Sequence, residues 1–247
     1  MRKMLLASGL LAGATLSAAA ADLPRKQAPA PAPTFAAVNW AGGYAGVHAG
    51  LQMTTAPMKL VPGGYDVNFV PGTITEATFS PNSPTIGVFA GYMFKVSDKI
   101  YAGPEIDLTG AFGSDTQITT TSTTPGFEAT NKFTQKFTGR LRGRLGYDAG
   151  AFMPFIAGGL SVSRIKVQLA LECEGELYSD NPAKTVAGFN IGAGADYALT
   201  KQIRARVEYI FDYYGSSQLA TIKPDWNDRK FNNLRSSTVR TALSFNF

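Results

Sequence analysis

The sequence predicts an all-β fold, an eight-stranded antiparallel up-and-down transmembrane β-barrel, and three observations carry the prediction. Apolar side chains alternate with polar or small ones in eight segments of about ten residues each, the length of a tilted membrane strand. The spacers between these segments are short and long in turn. The charged face of the alternation is also the glycine-rich one, and the apolar face ends in aromatics, which suits a cramped interior and a lipid exterior.

The chain begins "MRKMLLASGLLAGATLSAAAAD": two basic residues, an apolar core and a small-residue A-x-A end, which predicts a secretory signal peptide over residues 1–21. Removing Arg2 and Lys3 takes the formal charge from +5 to +3, too small an imbalance to imply a nucleic-acid partner. Residues 22–38, "DLPRKQAPAPAPTFAAV", read as an extended Pro/Ala-rich periplasmic linker, and residues 39–247 as the barrel domain. Beyond the signal no run of about twenty apolar residues could cross a bilayer as a helix. The single cysteine, Cys173, leaves neither a disulfide framework nor a cysteine-based metal site, so the fold must be stabilised by other means. Twenty-six glycines and sixteen phenylalanines lean towards a β chain rich in aromatics.

The first segment, "WAGGYAGVHAGLQM", sets Ala45, Val47, Ala49, Leu51 and Met53 against Gly46, His48, Gly50 and Gln52. The second sets Ile86, Val88, Ala90, Tyr92 and Phe94 against Thr85, Gly87, Phe89, Gly91 and Met93, and the third Ile100, Ala102, Pro104, Ile106, Leu108 and Phe112 against Gly103, Glu105, Asp107 and Thr109. The fourth, "FTGRLRGRLGYD", places Arg140, Arg142 and Arg144 opposite Gly139, Leu141, Gly143 and Leu145. In the fifth, Ile156, Leu160 and Val162 oppose Ala157, Gly159 and Ser161; in the sixth, Phe189, Ile191, Ala193, Ala195 and Tyr197 oppose Asn190, Gly192, Gly194 and Asp196. The seventh sets Ile203, Ala205, Val207, Tyr209, Phe211 and Tyr213 against Arg204, Arg206, Glu208 and Asp212. The eighth sets Val239, Thr241, Leu243, Phe245 and Phe247 against Thr238, Arg240, Ser244 and Asn246. Period two over such lengths is the mark of a strand with two unlike faces.

"VSDK", "DAGA" and "LTKQ" are tight turns, whereas residues 55–83, 114–131, 169–183 and 215–234 are long and polar. Short periplasmic turns and long extracellular loops are expected of an up-and-down outer-membrane barrel. Alternating runs inside the first loop ("YDVNFV", "TITEATF") leave ten strands as an alternative. A soluble lipocalin-like barrel has the opposite arrangement, polar outside and apolar inside. Here Tyr92, Phe94, Tyr147, Tyr197, Phe245 and Phe247 fall at the short-turn ends of the apolar face. Phe112, Phe133, Phe137, Phe211 and Tyr213 fall towards its loop ends, and two such belts fit the two interfaces of a bilayer.

This parity sends Glu105, Asp107, Arg140, Arg142, Arg144, Asp196, Arg204, Arg206, Glu208 and Arg240 into the lumen. An eight-stranded barrel is only wide enough for side chains to fill. Charges there are desolvated and must pair, and the planar fork of arginine suits carboxylates. Two readings follow: an ion-pair network that fills and fixes the barrel, or a narrow pore lined by a cationic ladder.

In order along the chain, "WAGGYAGVHAG", "GPEIDL", "TGRLRGRLGY", "MPFIAGGLS", "IGAGADYAL", "RVEYIFDYYG" and "VRTALSFNF" resemble the small outer-membrane β-barrel surface proteins of alpha-proteobacteria, relatives of the OmpA-like barrel. The likeness spans most of the barrel and is weak in the loops. It implies a porin-like barrel of the Gram-negative outer membrane, folded by the outer-membrane barrel assembly machinery through a C-terminal aromatic, here Phe247. Arg142 and Arg144 match the family's "RGRLGY" stretch and Glu105 its acid on the third strand. Envelope integrity, surface antigenicity, haemin binding and small-solute permeation are all found across the family.

The residues themselves offer little chemistry. Enzymatic barrels need a histidine with positioned partners, and His48 is the one histidine in the chain, so no enzyme activity is expected. Haemin binding through the loops would have Tyr65, Tyr178 or Met58 to draw on as ligands. Loop surfaces such as "KPDWNDRK", with Trp226, could meet an external partner that no motif names. The expectation is a structural or porin-like outer-membrane protein surrounded by lipid, requiring no cofactor or metal. The alternatives are a small-solute pore and a surface protein that binds ligands or adheres through its loops.

Overall fold

The computed structural model describes residues 38–61, 76–120, 127–173, 176–219 and 228–247. The expected signal peptide, the linker up to residue 37, Tyr65 and Trp226 lie outside the described residues. The strands in chain order are β1 Gly42–Val61, β2 Glu76–Phe79, β3 Asn82–Lys95, β4 Ile100–Ala111, β5 Ser114–Thr120, β6 Phe127–Tyr147, β7 Phe152–Cys173, β8 Glu176–Asp180, β9 Ala183–Ala198, β10 Ile203–Leu219 and β11 Asp228–Asn246.

Eight of them close a ring. The antiparallel order β6-β4-β3-β1-β11-β10-β9-β7 returns to its start through the β6–β7 pairing. The short strands β2, β5 and β8 continue β3, β4 and β9 outwards, after short breaks, against the same partners β1, β6 and β7. Closure satisfies every ladder without a free edge, a requirement for strands in lipid. The barrel therefore has eight strands; of the alternating runs in the first loop, Glu76–Phe79 extends β3 and "YDVNFV" lies outside the described residues.

The strands run further than their apolar alternation. β7 has 22 residues and β6 has 21. At ~3.3 Å per residue such a strand is about 70 Å long, well beyond a ~30 Å hydrocarbon core even when tilted. The spans expected as loops, 55–83, 114–131, 169–183 and 215–234, thus carry the outer ends of strands as well as β2, β5 and β8. Beyond the bilayer the outer face meets water, so polar, Thr-rich sequence continues the ladder without an apolar outward face to announce it.

One register shift overturns a sequence expectation. Gln135 pairs with Ile165 and Phe137 with Arg164, which leaves Lys136 as the extra residue of a β-bulge. Above the bulge the phase of β6 is reversed. Phe133, expected among the outward aromatics, is fully buried inside the barrel, while Phe137 stays exposed as expected. A second irregularity in β11 uses Asn233 at a φ of 52°, where Asn is among the few non-glycine residues readily accommodated.

Outward, the wall is apolar. Val47, Leu51, Val88, Ile106, Leu108, Leu141, Ile156, Leu160, Ile191 and Val207 are exposed around the ring, with aromatics at both ends of the band. Along β6, Tyr147 and Phe137 bracket a stretch that spans about 25 Å at the usual strand tilt, the height of an outer-membrane apolar band. A continuous exposed apolar belt of this kind needs lipid rather than water around it.

Candidate functional site

The interior is built in layers, and alternation assigns each layer its side chains. Across β4 and β6 the register sets Glu105 opposite Arg142 and Asp107 opposite Arg140. Across β9, β10 and β11 it sets Asp196 opposite Arg206 and Glu208 opposite Arg240. Glycines on neighbouring inward positions leave room for these long side chains. A Cβ on Gly87 would collide with the His48 ring, and one on Gly46 would lie 2.7 Å from the ring of Phe89.

The resulting ion pairs join adjacent strands and also span the lumen. Arg140 meets Asp212 fork to fork, Nε to Oδ1 at 2.9 Å and Nη2 to Oδ2 at 2.8 Å, and donates to Asp107 at 2.8 Å. Arg142 reaches Glu208 at 2.6 Å and also pairs with Glu105. Arg206 bonds Glu105 at 2.7 Å and Asp196 at 2.8 Å, while Arg144 reaches Asp196 at 2.5 Å. Arg240 joins Glu208 at 2.8 Å and pairs with Asp107. Five arginines thus face five carboxylates: Arg140, Arg142, Arg144, Arg206 and Arg240 against Glu105, Asp107, Asp196, Glu208 and Asp212. All ten are buried. Tyr44 donates to Glu105 at 2.8 Å, and Ser161 to Asp212 at 2.6 Å.

Apolar side chains close the lumen on both sides of this layer. Towards the short turns, Trp40, Tyr44, Phe89, Met93, Tyr101 and Met153 form one cluster. Arg206 lies 4.4 Å from the Phe89 ring centroid of this cluster, and Arg144 lies 3.6 Å from that of the neighbouring buried Phe155. Arg204 has no carboxylate in contact among the described residues; it lies 4.6 Å from the Trp40 ring centroid and donates to the Asn39 carbonyl at 2.8 Å. Trp40 itself is tied to the turn after β6 by Nε1 bonds of 3.2 Å to Asp148 and to the Gly150 carbonyl. Towards the long-loop side lies a layer of neutral bonds: Thr54 and Gln135 at 3.0 Å, Gln135 and Ser163 at 2.8 Å. Beyond it Ala56, Met58, Phe79, Phe133, Ile165, Val167, Tyr214, Phe231 and Leu234 make a second apolar cluster.

The residues expected in the lumen, Glu105, Asp107, Arg140, Arg142, Arg144, Asp196, Arg206, Glu208 and Arg240, meet in this single layer. Asp212 joins them as the fork partner of Arg140. It stands in phase with Arg206 and Glu208, so alternation contains it, but its partner lies three strands away and becomes apparent only when the sheet closes. His48, read as a packing residue, lies 3.1 Å from Asp107 and 3.4 Å from Thr109. Met58, considered above as a surface ligand for haemin, points into the outer apolar cluster instead. Tyr178 lies on β8, and Phe247 ends the chain on the outer face beside β1, its amide bonded to the Gly43 carbonyl at 3.0 Å. No cluster of His, Cys, Asp and Glu suited to a metal ion occurs among the described residues.

A family model described as an outer membrane protein beta-barrel domain matches residues 8–247. The 25 kDa outer-membrane immunogenic protein of Brucella melitensis is 30% identical over 218 residues, covering 87% of this chain and 86% of that protein. Its counterpart in Brucella abortus is 28% identical over 253 residues, covering 100% of this chain and 99% of its own. The 31 kDa outer-membrane immunogenic protein of Brucella melitensis is 28% identical over 252 residues, covering 100% of each. Among solved structures, the outer membrane protein OprG of Pseudomonas aeruginosa aligns with a TM-score of 0.47 at 13% identity, over 84% of this chain and 97% of that one.

Proposed function

We propose, for a chain that belongs to the outer membrane protein β-barrel family, a structural role in the Gram-negative envelope: a closed barrel that holds its extracellular strands and loops at the cell surface. The protein is an outer-membrane β-barrel, and its relatives are outer-membrane immunogenic proteins. The observation that carries the role is the interior, where the ion-pair layer lies between two apolar clusters. A conducting lumen needs a continuous wet path with charges free to exchange ions. Here each of the five carboxylates is engaged by arginine and each end is filled by aromatic side chains.

The same interior argues against catalysis. His48 and Asp107 resemble an acid–base pair in distance, but both are buried behind Phe89 and the arginines, so no substrate reaches them. We assign the exposed terminal Phe247 to recognition by the outer-membrane assembly machinery, and the outer strands to surface display, as the names of the immunogenic relatives suggest. Liposome swelling tests the role. Vesicles containing the refolded protein should take up small sugars no faster than empty vesicles. Swelling above that background would favour the solute-pore reading.

A further inference from the structure

The β6 bulge does more than reverse a phase. It sets Lys136 and Phe137 side by side on the outer wall, a cation immediately above an aromatic at the outer edge of the apolar band. Both line a groove of about 500 Å³, together with Phe112 from the end of β4 and Lys132 and Lys166 from the adjoining strands. The register sets Lys166 opposite Thr134, and Arg164, also exposed, opposite Phe137. No lining residue of the groove is acidic, and Lys132, Lys136, Lys166 and Arg164 have no ion-pair partner among the described residues.

We propose that this groove binds the phosphorylated headgroup of a glycolipid in the outer leaflet. Its phosphates would meet Lys132, Lys136 and Lys166, and an acyl chain would run down over Phe112 and Phe137. Three features select that occupant. The lysines stand directly above the girdle that meets the lipid interface, so the groove continues a surface already in contact with lipid. No carboxylate pairs with them among the described residues, and ammonium groups are good point-charge partners for phosphate. The floor is aromatic, which suits an amphipathic ligand and gives a small hydrated anion nothing to bind. The inference shares with the proposed function only the outer-membrane location, and a closed lumen is not required for it.

The full-length protein, refolded in zwitterionic micelles, is titrated with labelled diphosphoryl lipid A and with its dephosphorylated counterpart, and inorganic phosphate is added as competitor. The phosphorylated lipid should bind at least about tenfold more tightly, since each lysine near a membrane surface adds roughly a fewfold preference for anionic lipid. Replacing Lys132, Lys136 and Lys166 together by Gln should remove that preference, and Lys136→Gln alone should reduce it. Replacing Lys95, Lys99 and Lys201 at the short-turn end should leave it unchanged. Equal binding of the two lipids by the natural protein, or an undiminished preference in the triple variant, would overturn the proposal. Displacement by millimolar phosphate would also overturn it, because the site would then take a free anion. If the triple variant fails to fold, Lys136→Gln and the two comparisons on the natural protein still decide.

Discussion

Arg142 holds Glu105 and Glu208 at once; without it Glu105 keeps Arg206 and Glu208 keeps Arg240, but five buried carboxylates face four arginines. Breaking a buried network from one side costs about 3–5 kcal/mol, because one desolvated negative charge is left in excess. Arg142→Ala should therefore lower the urea midpoint of the folded, heat-modifiable barrel sharply, as read by gel mobility. The Arg140–Asp212 fork allows the complementary test. Replacing both by Met and Leu removes the pair without leaving a lone charge at either position, and Asp107 keeps Arg240 and His48. The double variant should be more stable than either single one, a non-additivity of at least about 1 kcal/mol. If the singles and the double fall in additive order, the two side chains do not act as a pair.

Strand β6 carries both environments on successive residues, Leu141 in lipid and Arg142 in the lumen. Leu141→Arg should cost about 2–4 kcal/mol of folding stability in vesicles, the penalty for a cation near the bilayer midplane, whereas Arg164→Ala above the girdle should change little. This contrast explains what was legible beforehand. Where one face meets lipid and the other a narrow lumen, period two is strict, and all eight barrel strands and the inward charges follow from it. Beyond the girdles the constraint lapses, so the outer halves of β6 and β7, together with β5 and β8, read as loop. Alternation alone puts Phe133 on the wrong face, because a one-residue bulge leaves no mark in composition. Deleting Lys136 should heal the bulge and leave Phe133 inside, because Gln135 and Phe133 then alternate regularly with Phe137. Proteolysis should cut the outer part of β6 no faster than in the natural protein; faster cutting there would count against the bulge.

At the scale of the whole molecule, the barrel is divided by depth rather than by sequence: aromatic floor, ion-pair layer, neutral hydrogen-bonded layer, apolar cap. No single segment contains a layer. Each is assembled from alternate residues of up to eight strands, so individual members could be read from the sequence while the closures at both ends could not. With these layers in place, the lumen should offer ions no path. Planar-bilayer recording of the refolded, heat-modifiable protein tests this, with an Arg142→Glu variant beside it. The natural protein should stay silent across both voltage polarities. A steady conductance whose ion selectivity shifts in the variant would contradict it, and would make the arginine ladder a filter instead of a lock.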